Sequence, residues 1–166
     1  SEFEAEALRL NALGYNIYTV MNPIKSTFVG NAVKDEDISY RDLLLIDIDR
    51  VQKAKEPATD EEVEAAKQLA DTVMAYLAAN EWPDPIRVMS GNGHHLYYVL
   101  PEVANDDGAK YYVQSLLKSL AAEFDNDTVK IDTTVFNASR ITKVVGTVAR
   151  KGLESEGRPY RMARVI

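Results

Sequence analysis

Two aspartates, Asp47 and Asp49, stand two residues apart at the end of an apolar run, in the segment LLLIDIDR. In an extended strand, residues i and i+2 point to the same face about 6–7 Å apart, so both carboxylates should project together. Two carboxylates at the end of a buried strand need a cation to offset their charge. A divalent metal is one candidate; salt bridges from Arg41, Arg50 or Arg87, or plain solvation of the strand end, are the alternatives.

The two histidines of the chain, His94 and His95, are adjacent in the segment SGNGHHLYYVL. Successive side chains of a strand point to opposite faces, so only one of the two can share a face with the aspartates. The register between the strands decides which one, and the sequence leaves that register open. The glycines of SGNG would also permit a close approach of the backbone to a phosphate group.

A third acid, Asp132, lies in the segment VKIDTTVF, which we predict to be the last strand of the same unit. There it could join Asp47 and Asp49 around one or two metal ions. Three carboxylates, a histidine and nearby cations are what metal-assisted nucleotidyl transfer requires, because basic side chains offset the triphosphate charge. Four basic residues follow within twenty residues of the third acid: Arg140, Lys143, Arg150 and Lys151.

Composition narrows the possible chemistry. The chain has no cysteine and two histidines, which excludes disulfides, thiolate nucleophiles and cysteine-based metal centres. Any metal site must therefore rely on carboxylates, which favours the hard cations Mg²⁺ or Mn²⁺. No apolar run approaches the roughly 20 residues of a membrane span, and the first residues are acidic where a signal peptide would be basic. We expect a cytoplasmic protein with no membrane partner.

Charge is unevenly distributed along the chain. Residues 1–128 carry 11 basic and 23 acidic side chains, whereas residues 129–166 carry 8 basic and 3 acidic side chains, within a total of −7. The total argues against nucleic-acid binding over the whole surface, because phosphate contacts need lysine and arginine. The basic C-terminal segment is either a solvated tail or a polyanion-binding segment on an acidic domain.

The order of predicted elements shows how these residues could be brought together. From Arg41 onward the patterns read β-α-β-β-α-β, with a helix that begins at a Thr59 and Glu62 capping box. This order predicts an α+β fold with a ferredoxin-like or RNA-recognition-motif-like core, preceded by an N-terminal α/β extension and followed by short C-terminal strands. In that topology the strands LLLIDID and HHLYYVL are central neighbours, although about 45 residues separate them.

The sequence resembles the archaeo-eukaryotic primase superfamily, in particular the primase-polymerase domains of phage and plasmid replication proteins. The resemblance rests on three segments in the family's order: LLIDID, SGNGHHLYY and IDTTVFNASRITKVVGTVARKG. It implies that Asp47, Asp49 and Asp132 bind Mg²⁺ or Mn²⁺, that His95 contacts the phosphates or sugar of the incoming nucleotide, and that His94 packs or makes a secondary contact. It further implies nucleotide contacts from Ser90, Asn92 and Arg140, and contacts from Lys143 and Lys151 to nucleotide or template phosphates.

The reaction implied by the resemblance is attack of a 3′-hydroxyl on the α-phosphate of a nucleoside triphosphate, templated by single-stranded DNA. Residues 1–166 are expected to form one catalytic domain excised from a larger replication protein. In that parent, a helicase or a helical priming domain would be a partner. Nucleotide binding and primer extension are expected of this domain itself.

Two other functions remain open. A replication-initiator or relaxase-type nuclease uses paired histidines and a tyrosine nucleophile, for which Tyr97, Tyr98, Tyr111 and Tyr112 are candidates. Its histidines alternate with a hydrophobic residue, however, whereas His94 and His95 here are adjacent. A non-catalytic single-strand-binding module would stack bases on sheet aromatics such as Tyr97 and Tyr98, but it has no use for three carboxylates.

Overall fold

The computed structural model describes residues 1–52 and 55–166. Three α-helices, nine short or long β-strands and a 3₁₀ turn at Asp35–Asp37 make up these residues. In chain order the elements are α1 (Glu2–Ala12), β1 (Tyr18–Val20), β2 (Tyr40–Arg50), α2 (Asp60–Ala79), β3 (Ile86–Met89), β4 (His94–Ala104), α3 (Asp107–Phe124), β5 (Val129–Ile131), β6 (Ile141–Lys143), β7 (Val148–Ala149), β8 (Arg161–Met162) and β9 (Arg164–Val165).

The central sheet has five antiparallel strands in the order β5-β2-β4-β3-β9. Its first four strands have the order of a ferredoxin-like β-α-β-β-α-β unit, which confirms the predicted fold class. The strands LLLIDID and HHLYYVL are hydrogen-bonded neighbours, as the element order predicts. The long-range pairing of β2 with β4 therefore brings the aspartate segment beside the histidine segment.

One face of this sheet is covered by α2 and α3, which contact each other and the sheet. Ile46 and Ile48 of β2 are fully buried in the core, together with Val73 of α2 and Leu117 of α3. Each such side chain contributes on the order of 1.5–3 kcal/mol when it leaves water. Because strand side chains alternate, burial of these isoleucines directs the intervening Asp47 to the opposite face of the sheet.

Helix α2 begins where the capping box predicts. The Thr59 Oγ1 accepts a hydrogen bond from the Glu62 N–H at 3.2 Å, and the Glu62 carboxylate accepts one from the Thr59 N–H at 2.8 Å. Its buried residues are Ala66, Leu69, Ala70, Val73 and Leu77, which are spaced at the period of a helix packed on one side.

The last strand of the unit is shorter than predicted. Strand β5 ends at Ile131, and the expected continuation through Phe136 is wrong. The reason is local, because the Asp132 carboxylate accepts hydrogen bonds from the N–H and hydroxyl of Thr134 at 2.9 and 2.6 Å. Such side-chain bonding to a nearby backbone N–H competes with the strand ladder and forms a turn. Asp132 therefore lies just after the strand, not within it.

The terminal segments form two small sheets beside the core. Strand β1 pairs with β6, and β7 pairs with β8, while β9 extends the edge of the central sheet. This confirms the N-terminal α/β extension and the short C-terminal strands, and the extension lies beside residues 141–143 of the C-terminal segment. Among the described ranges 1–52 and 55–166, no helix combines the length and hydrophobicity needed to cross a membrane.

Candidate active site

The register between β2 and β4 decides which histidine joins the aspartates. Asp47 lies opposite His95, and Ile48 lies opposite His94. His95 is buried, with its Nε2 3.4 Å from the Asp47 Oδ1 and its Nδ1 2.9 Å from the Tyr97 hydroxyl. The imidazole is thus held between a carboxylate and a phenol, which fixes its orientation at the sheet surface.

His94 points into the helix-covered face and pairs with Ile48 and Met89 on the flanking strands. Burial lowers the pKa of His94 to about 4, and the positive charge of Arg87 acts in the same direction. The imidazole is therefore neutral near pH 7. The adjacent histidines lie on opposite faces, as strand alternation predicts, so they do not form a chelating pair.

Asp49 lies on the same face as Asp47, opposite Lys130 of β5. Burial raises the pKa of Asp49, and the nearby charge of Asp47 raises it further, whereas Lys151 lowers it. The Lys151 Nζ lies 3.9 Å from the Asp49 Oδ2, and the Arg50 N–H donates to Oδ1 at 2.9 Å. Two neighbouring carboxylates thus repel each other where water is partly excluded, and a cation bound there would relieve that repulsion.

The arginines considered as neutralising partners form contacts with other groups. Arg41 donates to the Phe136 carbonyl oxygen, Arg50 pairs with Glu62, and Arg87 pairs with Asp71. The charge of Arg50 still lowers the pKa of Asp49, although less than Lys151 does. Among the described residues, Asp47 pairs with His95 and Asp49 pairs with Lys151.

Asp132 is brought to the aspartates by the backbone. Its N–H donates to the Asp47 carbonyl oxygen at 2.8 Å, which extends the β2–β5 pairing by one bond beyond the strand. Its carboxylate holds the turn at Thr134, as described above. The third acid thus lies beside β2 at the same end of the sheet.

The turn between β3 and β4 requires its glycines. The Ser90 N–H donates to the Gly93 carbonyl oxygen at 2.9 Å, and the Ser90 Oγ accepts from the Gly93 N–H at 3.2 Å. A Cβ on Gly93 would lie 2.2 Å from the Ile48 carbonyl oxygen, so the turn approaches β2 too closely for any side chain. Asn92 accepts a hydrogen bond from the Ala58 N–H at 2.9 Å and so anchors the turn to the segment before α2.

Basic side chains face the aspartates from the segment between β6 and the residues after β7. We call Arg140, Lys143, Arg150 and Lys151 the basic wall, since all four line the same cleft as Asp47. Arg140 donates to the Thr134 carbonyl oxygen at 2.8 Å, which ties it to the turn that follows Asp132. Positive charge thus lines the same cleft as the carboxylates, and the Lys151 Nζ lies 3.9 Å from the Asp49 Oδ2.

Lys143 is the most buried member of the basic wall. Its Nζ donates to the Val148 carbonyl oxygen at 3.0 Å, lies 3.5 Å from the Asn16 Oδ1 and is 5.5 Å from the centre of the Tyr18 ring. Burial and, to a smaller extent, the neighbouring positive charge of Arg150 lower the pKa of Lys143 to about 8. Even so, the ammonium group is mostly protonated at pH 7.

The cleft has a volume of about 440 Å³ and is lined by all nine residues named in the sequence analysis: Asp47, Asp49, Ser90, Asn92, His95, Asp132, Arg140, Lys143 and Lys151. Sequence reasoning left out four polar or aromatic lining residues, namely Asn16, Tyr18, Thr142 and Arg150, as site residues. Arg150 had a signal, since it belongs to the basic cluster after Asp132. Asn16 and Tyr18 had none, because they come from the N-terminal extension and belong to no motif.

The C-terminal basic segment divides between two environments. Its basic wall lines the cleft, whereas Arg158 pairs with Glu62 and Glu56, and Arg161 pairs with Asp60 at the start of α2. Part of the segment is therefore structural, and the other part supplies positive charge opposite the aspartates.

Neither alternative function gains a site from the tyrosines. Tyr97 and Tyr98 are only 9% and 1% exposed, so neither offers a ring face on which a base could stack. Burial raises the pKa of Tyr98 to about 12, with Asp84 adding to the effect, and its ring packs edge-on against Trp82. Tyr111 and Tyr112 are exposed on α3, which covers the sheet face opposite Asp47.

The carboxylates match the chemistry of a hard divalent cation, because Asp47, Asp49 and Asp132 offer only oxygen donors. Within the part of the chain that the structure describes, no three His, Cys, Asp or Glu side chains converge closely enough to enclose a metal ion. Asp47, Asp49 and Asp132 nevertheless line the same cleft. Burial and the charge of Asp47 raise the pKa of Asp49, and a cation bound there would stabilise the charged carboxylate.

Comparison with known proteins finds a likeness at the level of fold. No protein-family model matches the chain, and no curated protein matches it. Among solved structures, the AEP domain of the cyanophage S-2L primase-polymerase superposes with a TM-score of 0.53 at 19% sequence identity. The superposition covers 98% of this chain and 67% of the phage chain. The chain thus shares the α+β fold of a primase-polymerase domain along nearly its whole length.

Proposed function

We propose that this chain is a nucleotidyltransferase of the primase-polymerase type, which extends a DNA or RNA strand on a single-stranded DNA template. The observation that carries the proposal is the cross-strand pairing of Asp47 with His95 inside a cleft that also holds Asp49 and Asp132. A basic wall opposite these acids supplies the positive charge that a nucleoside triphosphate requires. The likeness to the phage primase-polymerase domain supports the proposal through the fold.

In the proposed reaction, a primer 3′-hydroxyl oxygen forms a bond to the α-phosphorus of the incoming nucleotide. The bond between that phosphorus and the α–β bridging oxygen breaks, and pyrophosphate leaves with the electron pair. For Mg²⁺ or Mn²⁺, the ligands would be Asp47, Asp49 and Asp132, and the ions would supply charge stabilisation for the attacking and leaving oxygens. Arg140, Lys143 and Lys151 would bind the triphosphate and offset its charge.

His95 is suited to positioning a nucleotide. Its ring is held by the Asp47 carboxylate on one side and the Tyr97 hydroxyl on the other. In the tautomer whose Nδ1 accepts from the Tyr97 hydroxyl, the Nε2–H beside Asp47 could be shared with a phosphate or sugar oxygen of the nucleotide, and the ring would lose no rotamer freedom on binding. Ser90 and Asn92, in the turn before it, would complete this wall of the nucleotide site.

The partners implied by this reaction are nucleoside triphosphates and a primed single-stranded DNA template. A helicase or helical priming domain in the same parent protein, and a cytoplasmic location, belong to the same proposal. Lys143 and Lys151 could instead bind template phosphates, because phosphate contacts of either kind need lysine or arginine.

One set of assays separates this function from the two alternatives. The protein is incubated with a primed single-stranded template, labelled nucleotides and Mg²⁺ or Mn²⁺, beside the double variant Asp47→Asn and Asp49→Asn and the control Asp127→Asn. Asp127 is exposed and does not line the cleft. Metal-dependent primer extension by the wild type and the control, but not by the double variant, supports the proposal.

Other outcomes would contradict it. A covalent link between DNA and a tyrosine would identify a relaxase-type nuclease. Binding of single-stranded DNA without any nucleotide binding or extension, and unaffected by the double substitution, would identify a binding module.

A further inference from the structure

The strand segment that carries part of the basic wall is held on both sides. Strand β7 pairs with β8 through Val148 and Ala149 along one edge. The other edge is bound by the side chains of two asparagines from the N-terminal extension, Asn11 and Asn16. Residues 148–150 are therefore fixed by the beginning of the chain as well as by its end.

Each asparagine binds both backbone groups of one residue. The Asn11 amide oxygen accepts from the Val148 N–H at 2.8 Å, and its NH₂ donates to the Val148 carbonyl oxygen at 3.0 Å. The Asn16 amide does the same to Arg150, at 2.8 and 2.7 Å. A primary amide offers the same donor and acceptor as a peptide unit, so the two side chains replace a neighbouring strand.

Asn16 also contacts the basic wall directly, whereas Asn11 reaches it only through the Val148 carbonyl oxygen, which accepts from the Lys143 Nζ. The Asn16 Oδ1 that holds the Arg150 N–H lies 3.5 Å from the Lys143 Nζ, and Asn16 lines the cleft. Two residues on, Tyr18 pairs with Lys143 in the β1–β6 sheet and places its ring near the ammonium group. One side chain thus connects the backbone of one cation to the ammonium group of another.

Arg150 and Lys143 are brought close together, and one buried hydrogen-bond donor of Arg150 has no acceptor among the described residues. The charge of Arg150 is close enough to lower the pKa of Lys143. Within residues 1–52 and 55–166, the Arg150 Nη1 is buried and has no hydrogen-bond partner. A buried donor without an acceptor is unfavourable, and so are two neighbouring like charges, and both are relieved when a ligand supplies anionic oxygens.

We propose that Asn16 is a positioning residue for the phosphate groups of the incoming nucleotide, which it serves by holding Arg150 and Lys143 toward the cleft. The inference rests on the proposed nucleotidyl transfer, and it adds Arg150 to the residues that contact the triphosphate. It also gives the N-terminal extension a role in the site. Asn11 holds the same strand but has no part in the cleft.

The test compares Asn16→Ala with the matched control Asn11→Ala. Both substitutions remove a two-point amide contact with the same strand, but Asn11 is 6% exposed whereas Asn16 is exposed. Binding of deoxythymidine triphosphate and of pyrophosphate is measured by calorimetry, with thermal unfolding in parallel. Primer extension then gives kcat and KM separately.

We expect Asn16→Ala to raise the Kd for both ligands and the KM for the nucleotide by about tenfold, with kcat changed much less. Asn11→Ala should lower the unfolding temperature more than Asn16→Ala and change the Kd less than about twofold. The variant Asn16→Asp keeps the acceptor for the Arg150 N–H but places a negative charge beside Lys143. It should weaken pyrophosphate binding at least as much as Asn16→Ala.

Equal ligand affinities for wild type and Asn16→Ala would overturn the inference. The same Kd increase in both alanine variants would also overturn it, because Asn16 would then affect ligand binding only by stabilising residues 148–150, as Asn11 does. If the wild type extends primers while either result is obtained, the proposed function stands and the role of Asn16 does not. If the wild type binds neither ligand and extends no primer, both fail together.

Discussion

Asp47 and His95 are direct cross-strand partners on adjacent antiparallel strands, and 3.4 Å separates the Asp47 Oδ1 from the His95 Nε2. The two strands are separated in sequence by α2 and β3, so the contact forms only when the sheet folds around these elements. The contact lies within the cleft that the basic wall also lines, and the second carboxylate, Asp49, lies farther along the same face. The proposed nucleotide site is built around this pair.

Replacing each histidine separately should give opposite results. His95→Asn removes the ring held by Asp47 and Tyr97, and we expect it to lower kcat/KM for nucleotide addition on the order of 100-fold. His94→Asn alters the opposite face of the sheet, so it should lower thermal stability while it leaves kcat/KM within about threefold. Steady-state primer extension and thermal unfolding measure both effects. A larger activity loss in His94→Asn than in His95→Asn would contradict the assignment.

The pH dependence of extension should reflect the carboxyl of Asp49. Burial and the charge of Asp47 raise its pKa, so the carboxylate form that is proposed to bind the metal is lost, before any metal binds, at a higher pH than for an ordinary aspartate. Lys151 opposes this shift, and Lys151→Met should therefore move the acidic limb of the pH–rate profile to still higher pH. The exposed control Lys118→Met should leave the limb in place. A limb that stays fixed or moves to lower pH in Lys151→Met would count against this electrostatic account.

Acid stability should depend on Glu62. Burial alone would raise its pKa, but the Thr59 N–H, Arg158 and Arg50 outweigh burial and lower it to about 2. A depressed carboxyl pKa stabilises the fold above about pH 4.5, and this contribution is lost as the pH falls toward 2. Glu62→Gln should thus reduce the free energy of unfolding at pH 7 by about 2–3 kcal/mol and flatten its decline between pH 4.5 and 2.

The neighbouring Glu61→Gln is the matched control for that substitution, since Glu61 is exposed in the same helical turn. Its unfolding free energy should follow the wild-type pH curve closely. If Glu62→Gln and Glu61→Gln gave the same curve, the cluster of Glu62 with its two arginines would not contribute as described.

The turn before β4 should tolerate no side chain at Gly93. A Cβ there would meet the Ile48 carbonyl oxygen at 2.2 Å, so Gly93→Ala must push the turn away from β2. We expect a stability loss of about 1–3 kcal/mol and a disproportionate loss of extension, since the turn leads directly to His95. Gly157→Ala, where φ is +75° and no atom lies within 4 Å, should cost only backbone strain and leave extension unchanged. Equal activity in the two variants would show that the close approach is not needed.

The arrangement of the core could be predicted from the sequence because it follows from periodicity and element order. The capping box of α2 and the alternation in β2 depend only on neighbouring residues, and the central position of β2 and β4 follows from the order of the elements. The register of Asp47 with His95 could not be predicted, because it depends on the turn between β3 and β4 and on a bulge in β2 between Arg41 and Leu43.

The contribution of the N-terminal extension also lay beyond sequence reasoning. Asn16 and Arg150 are 134 residues apart and meet through a side chain that replaces a strand, which leaves no pattern in either segment. The end of β5 at Ile131 was missed for a related reason, because the hydrogen bonds of Asp132 to Thr134 compete with a favourable strand sequence. Local polar contacts of this kind depend on side-chain geometry, whereas hydrophobic periodicity does not.

The rate of single-nucleotide addition to a primed template tests the central claim most directly. It is measured in Mg²⁺ and in Mn²⁺ for the wild type, Asp47→Asn, Asp49→Asn and the double variant, with pyrophosphate release counted against nucleotide incorporated. We expect one pyrophosphate to be released per nucleotide incorporated. The rate of addition should fall at least about 100-fold in each single variant, with little further loss in the double variant, because the two carboxylates act as a unit. Three results would contradict this proposal: no incorporation by the folded wild type, incorporation that needs no metal ion, or undiminished incorporation by the aspartate variants.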